Sequence, residues 1–553
     1  MSTTPSSLLV TGAKIWTQDP ALPWASALAV VDGTIVSVGD ESDVVRALDG
    51  EYAVEDAGGR FVMPALADGH VHLGLGGTQA AHELPVLPND SVDDVLAKVR
   101  DWASTLPAGA WVVGGIIGSG VTDTVAADAG FLRALDDASL GHPVMLRDDT
   151  MHNRWVSSLA LARMGVGADT ADPEGGEYVR DRSGALTGVL YELACAPAED
   201  LCAESIADPA AHKREAMLAA QRILHGYGIT SAHEAATMSA AWEALSDLDR
   251  AGEWTLRVVG SGPTRQFLEH GVVGDELMAD LGRYRSDLLR ADFVKVVADG
   301  VPMTRTSAML RPYVCHHEGE DESFAGEPYW SVDDLTQELE KQHARGIGAK
   351  CHATGDASLR VILDAAENLR TAHPDEPRQT VQIAHASVID ADDIPRFAQH
   401  DVIADVSPAL WYPSVMVESI RAQIGDERAN RFFPLRDLVD GGALVSAGSD
   451  WPCALPTPDP WIGLETMITR RDPSGQYPGT LGDGQELTLE EALAAFTVNP
   501  AVAMGIADVG RLQPGYAADF VVLDRDLFAI DPREIHDTQV VRTYASGRLV
   551  FER

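Results

Sequence analysis

His70 and His72, in Asp68-Gly69-His70-Val71-His72, follow the apolar run 61–67. The run reads as a buried strand, and along a strand, side chains two apart leave on the same side. Both imidazoles can therefore aim at one point, as a divalent metal requires. Chance supplies about half an HxH in a chain with 17 histidines, so the pair gains weight only from partners. Two core histidines are the other reading. Candidate partners end or interrupt later apolar runs: Lys295 in Phe293-Val294-Lys295-Val296-Val297, His352 in Lys350-Cys351-His352, His385 in Gln382-Ile383-Ala384-His385, and Asp450 after Ala447-Gly448-Ser449. His233-Glu234 and Asp299-Gly300 stand at comparable places.

A buried ammonium is costly. Reaction with CO₂ would turn Lys295 into a carbamate, an anion that can bridge two metal ions. Only six lysines occur in the chain, which makes one inside an apolar run informative. A carboxylate ending an apolar strand, as Asp450 does, needs a metal or a protonated histidine to offset its burial.

The elements that must position these groups are short apolar runs separated by amphipathic stretches such as Leu335–Arg345 and Ala391–Gln399. After 61–67, the runs are 143–147, 228–232, 293–298, 347–351, 380–384, 402–406 and 443–447. Eight strands with helical crossovers predict an α/β fold, a (β/α)₈ TIM-like barrel over 61–504, with its site at the C-terminal ends of the strands. Residues 74–140 and 154–210 are too long for ordinary connections and are expected to be inserted subdomains, with a hairpin-containing flap from Gly175 to Tyr191. Residues 1–60 and 505–553 carry short strands with Asp32-Gly33 and Ser546-Gly547 turns, which predict one composite β-sandwich domain from both chain ends.

Composition narrows the partners. With 84 acidic against 42 basic residues the net charge is −42, which opposes binding to nucleic acid or to an anionic membrane. No apolar run is long enough to span a bilayer, and no signal-peptide pattern opens the chain. Five scattered cysteines without a CxxC fit neither a disulfide framework nor a zinc knuckle, so a reducing cytoplasm is expected.

In order and spacing, several segments resemble the amidohydrolase superfamily, in its family 3 branch, which includes N-substituted formamide deformylases. They are PALADGHVH (64–72), HNRWVSSLAL (152–161), GGEYVRDRSGALTGVLYE (175–192), GITSAHEA (228–235), VKVVADG (294–300), CHATGD (351–356), IAHA (383–386), AGSDWP (447–452) and GYAADFVVLD (515–524). The resemblance spans essentially the whole chain. It implies a metal-dependent hydrolase of a linear C–N bond in a small molecule, such as an N-substituted amide or formamide. It implies metal-ligand roles for His70, His72, His352 and His385, a carboxylated Lys295, and Asp450 as ligand or general base. One or two divalent ions are expected, Zn foremost with Mn, Fe or Co as alternatives, and a homodimer is common in the family. His152 and Trp155 are candidate substrate contacts. Ser157-Ser158, Asp299-Gly300-Val301 and Glu234 depart from the branch pattern, which weakens inference of a particular substrate. The competing readings are a deaminase or isomerase on the same barrel and a metal-free scaffold protein.

Overall fold

A parallel strand covered on both faces is apolar along its length rather than alternating. In the structure, a computed structural model describing residues 7–553 except 150, 152, 267–270, 316–320 and 454, eight segments stand in such a sheet, several of them interrupted by polar residues. They are β1 (Leu66–Val71), β2 (Ile229–Glu234), β3 (Arg257–Pro263), β4 (Leu289–Val297), β5 (Gly348–Ala353), β6 (Val381–His385), β7 (Val402–Val406) and β8 (Val445–Ala447). They form one parallel sheet in chain order, a nearly closed barrel. Every residue of β1, β2 and β7 is buried.

The crossovers are amphipathic helices. Helix Val332–His343 starts at Ser331, whose side chain accepts from the Asp334 N–H, and it buries Leu335, Leu339 and Gln342 along one stripe. Each buried leucine contributes roughly 1.5–3 kcal/mol. Helix Asp356–Ala372 buries Leu359, Ile362, Leu363, Ala366 and Leu369 with the same period.

The seam between β1 and β8 closes by backbone approach. A Cβ on Gly69 would lie 2.5 Å from Ser446 Oγ and 2.7 Å from the Ala447 carbonyl oxygen, so only glycine fits there. The Asp68 carboxylate spans the same seam, accepting from Ser449 N at 3.0 Å and Ser449 Oγ at 2.6 Å. Gly69→Ala is expected to destabilise the protein by ~1–3 kcal/mol through overpacking. The readout is a lower denaturant midpoint at unchanged slope; a wild-type midpoint would show that the seam yields to a methyl group.

Both chain ends build two further sheets. One pairs Thr34–Gly39, Ala27–Val31, Ser7–Thr11 and Ala53–Asp56, and the other orders Arg548–Glu552, Val540–Ala545, Phe520–Leu523, Phe61–Pro64, Lys14–Trp16 and Trp24–Ala25. Val10, Ile15, Leu28, Val62, Phe520 and Val522 share one core. The Asp32-Gly33 and Ser546-Gly547 turns have positive φ at both positions, as two-residue hairpins require.

The chain up to His72, Gln221–Ser449 and Pro458–Arg553 make one compact unit; Leu73–Ala220 with Asp450–Thr457 make a second. The expected insertions at 74–140 and 154–210 thus fall within one unit with its own six-stranded sheet. The strand pairings correct two strand assignments. The 143–147 run is not a barrel strand: Val144–Asp148 pairs with Val112–Ile117 and Asn153–Val156 in the second unit. The barrel instead uses Arg257–Pro263, whose Gly260, Gly262 and Pro263 read as turn residues. A short apolar run signals a buried strand without saying which sheet it joins. The 61–67 run also divides, since Phe61–Pro64 belongs to a chain-end sheet and the barrel strand begins at Leu66. The expected flap is an antiparallel hairpin, Gly176–Arg180 with Leu186–Glu192, at the edge of the second unit's sheet. Among the described residues no helix is long and apolar enough to cross a membrane.

Candidate metal centre

His70 lies inside β1 and His72 one residue beyond it, both buried, with ring centroids 5.5 Å apart. His385, the last residue of β6, places its ring 5.0 Å from that of His70. His352, in β5, lies 4.6 Å from His385. Four imidazoles therefore meet at the end of the barrel where the strands finish. Lys295 of β4 is only 2% exposed and stands in register with Lys350 of β5. Asp450 follows Ser449 just past β8, and His70, His72 and Asp450 offer ligand atoms within 4.8 Å of one another. Two imidazoles and a carboxylate are a donor set for a first-row divalent ion, so the residues present fit such a group.

The backbone turns sharply where two of these groups sit. His385, Ala386 and Asp450 have φ of 72°, 44° and 59°, in the left-handed region that non-glycine residues avoid. Each costs about 1–2 kcal/mol, and such strain gathers at functional sites.

Hydrogen bonds orient the rings. Asp405 Oδ2 lies 2.7 Å from His70 Nδ1. A carboxylate only accepts, so Nδ1 carries the proton and Nε2 the lone pair. Lys350 Nζ donates to the same Asp405 oxygen at 2.5 Å and to the Gly69 carbonyl at 2.9 Å. Burial first, then the Lys295 and Lys350 charges, hold His70 well below the ordinary histidine range. The Lys350 ammonium therefore balances Asp405, and His70 remains neutral, the form that ligates a metal. His352 donates from Nε2 to the Gly300 carbonyl at 3.0 Å, which places its lone pair on Nδ1.

Asp299 secures that carbonyl's loop by accepting from the backbone N–H groups of Thr354 (3.0 Å), Gly355 (2.9 Å) and Ala308 (3.1 Å). Burial nevertheless pushes its carboxyl up to about 7.

Not every sequence candidate joins this group. His233 is buried inside the barrel, with Nε2 at 2.8 Å from Ser261 Oγ and its ring edge-on to Phe293 at 4.7 Å, a hydrogen-bonded core histidine. Trp155, expected as a substrate contact, is fully buried in the second unit's apolar core, where an enclosed indole supports the sheet instead. His152 lies outside the described residues. Trp411, another aromatic near a strand end, stacks on Phe433 at 4.1 Å as part of the core. Asp405 and Lys350 were missed as site residues, although each carried the signal that marked Lys295: a charge within an apolar run.

A parallel barrel with this donor set at its strand ends is the frame of a metal-dependent hydrolase. The family model described as "Amidohydrolase family" matches residues 53–551, and the chain belongs to that family. It is 27% identical to the N-substituted formamide deformylase of Arthrobacter pascens over 99% of this chain and 98% of that protein. It is 26% identical to Protein LONG AFTER FAR-RED 3 of Arabidopsis thaliana, over 99% of this chain and 92% of the relative. Among solved structures, an uncharacterized metal-dependent hydrolase from Pyrococcus horikoshii OT3 matches with a TM-score of 0.74 at 21% identity, covering 95% of this chain and 99% of the other. At that identity the likeness concerns the fold.

Proposed function

We propose that the protein hydrolyses a linear C–N bond, in an N-substituted amide or formamide of a small molecule, by water attack with Asp450 as general base. The observation that carries this reading is Lys295, buried in an apolar strand beside a histidine cluster. Addition of its amine to CO₂ with loss of a proton would give a carbamate, an anionic oxygen donor suited to a divalent ion. His70, His72 and Asp450 would hold one such ion, and His352 and His385 would hold a second. Zn is the first choice for these nitrogen and oxygen donors, with Mn, Fe or Co also compatible. A divalent ion held there would supply Lewis acidity, polarising a carbonyl and lowering the pKa of water towards neutrality.

The chain's own groups complete the step. Asp450 accepts a proton as water adds to the carbonyl carbon, then passes it to the nitrogen as the C–N bond breaks, so a neutral amine leaves. Asp405 holds the His70 ring in its ligating tautomer. The relationship to the A. pascens deformylase favours the formamide class. A cytoplasmic homodimer belongs to the same reading, and light scattering on the purified chain reads its mass.

Metal content per chain, measured without chelator together with intact mass, tests the bridge. Two ions and an acid-labile carboxyl group on Lys295 are expected. One ion with unmodified lysine in a fully active protein would reject the bridge and favour a mononuclear deaminase. No metal, and no activity gained on adding it, would leave the scaffold reading.

A further inference from the structure

The end of the barrel where the strands begin carries a separate group of side chains whose types can ligate a metal. Helix Val332–His343 ends ahead of β5 and helix Asp356–Ala372 ends ahead of β6, so both C-termini arrive at that end. His343 is the last residue of the first helix. His373 caps the second, with its N–H donating to the Leu369 carbonyl at 3.0 Å. Glu376 follows three residues later. His343 Nε2 lies 3.0 Å from one Glu376 oxygen, and His373 Nδ1 lies 3.1 Å from the other. The two rings are 4.5 Å apart.

We propose that His343, His373 and Glu376 form a second divalent-metal site of the Zn²⁺ class, distinct from the centre at the strand ends. One atom from each lies within 4.8 Å of the others, a spacing from which small rotations reach coordination. Two imidazoles with one carboxylate suit borderline first-row ions better than Mg²⁺ or Ca²⁺, which take oxygen. The ring nitrogens that now face the carboxylate become lone-pair donors once each proton moves to the opposite nitrogen. Two helix C-termini add partial negative charge at the same place, which favours a cation. The side chains are 11%, 29% and 58% exposed, so an ion has a path in while the histidines remain held. Occupancy would pin the segment between the second helix and β6 to the end of its neighbour.

The test uses the full-length protein with its strand-end metal in place. Equilibrium dialysis against Zn²⁺ is expected to load one zinc more per chain on wild type than on His373→Ala. Apparent affinity should fall at least ~10-fold in Glu376→Gln, by comparison with the loss caused by removing even an outer-sphere partner. Glu376 is 58% exposed, so that variant should keep the fold. Cu²⁺ supplies an independent probe: its electron paramagnetic resonance signal should show coupling to two imidazole nitrogens in wild type and to one in His343→Gln. Equal zinc uptake by wild type and variants, or copper without nitrogen coupling, would reduce the trio to a hydrogen-bonded surface cluster.

Discussion

Asp450→Asn is expected to lower kcat by ~10²–10⁴-fold, the usual range for losing a positioned acid–base group. Asparagine keeps the shape of the side chain and one oxygen able to meet a metal, but it cannot take a proton from water at neutral pH. Metal content should therefore stay near wild type while turnover collapses, and KM should change little. The residual activity should also lose the acidic limb of the pH–rate profile, because that limb reports protonation of the base. The decisive comparison is kcat against metal content. Wild-type kcat in the variant would remove Asp450 as the base. Loss of metal in step with activity would assign it a ligand role alone. Its position just past β8, with φ of 59°, supports a demand on side-chain direction that an ordinary strand end would not make.

The second large effect concerns Asp405 and Lys350, whose side chains are fully enclosed in the barrel. Asp405→Asn strands the Lys350 ammonium, and Lys350→Met strands the Asp405 carboxylate beside a neutral His70. Removing one member of a buried pair costs about 3–5 kcal/mol, because the other charge is left without compensation. Replacing both removes both charges, so the double variant should be more stable than the sum of the single losses predicts. Denaturant unfolding of the four proteins measures that coupling directly. Additive losses would show that the pair does not share its charge as its 2.5 Å separation indicates. Asp405→Asn should also weaken strand-end metal binding by ~10–100-fold, since the His70 ring exchanges an anionic, acceptor-only partner for a neutral amide that no longer fixes its tautomer. Lys350→Met should weaken it less.

These two expectations separate the roles of charge at the strand ends. Asp450 is read as a group that exchanges protons with substrate and water. Asp405 is held in a network with Lys350, the Gly69 carbonyl and His70, and acts through the ring it orients.

Several features could be read from local residue order. The same-side placement of His70 and His72 follows from strand geometry. Lys295 stood out because an ammonium in an apolar run is costly, and the hairpin turns at Asp32-Gly33 and Ser546-Gly547 because few residue pairs tolerate two positive φ values. Parallel barrel architecture was legible because strands covered on both faces must be continuously apolar. Each of these is a constraint imposed within a few residues.

Tertiary structure decided which distant segments share a sheet. Val144–Asp148 joined the second unit's sheet and Arg257–Pro263 supplied a barrel strand in its place, because burial sets a strand's hydrophobicity while its sheet depends on which other strands it pairs with. Gly69 is required by the backbone of β8, not by its own turn, and Asp405 gains its role by meeting a histidine 335 positions earlier. Trp155 moved from a candidate ligand contact to the core of a second unit because enclosure is a property of the packed sheet. The sequence by itself determined the residue types able to hold a metal and the strands able to carry them. Only the packed chain decided which charges meet and which ring nitrogens keep their lone pairs, because those depend on side chains brought together across the barrel.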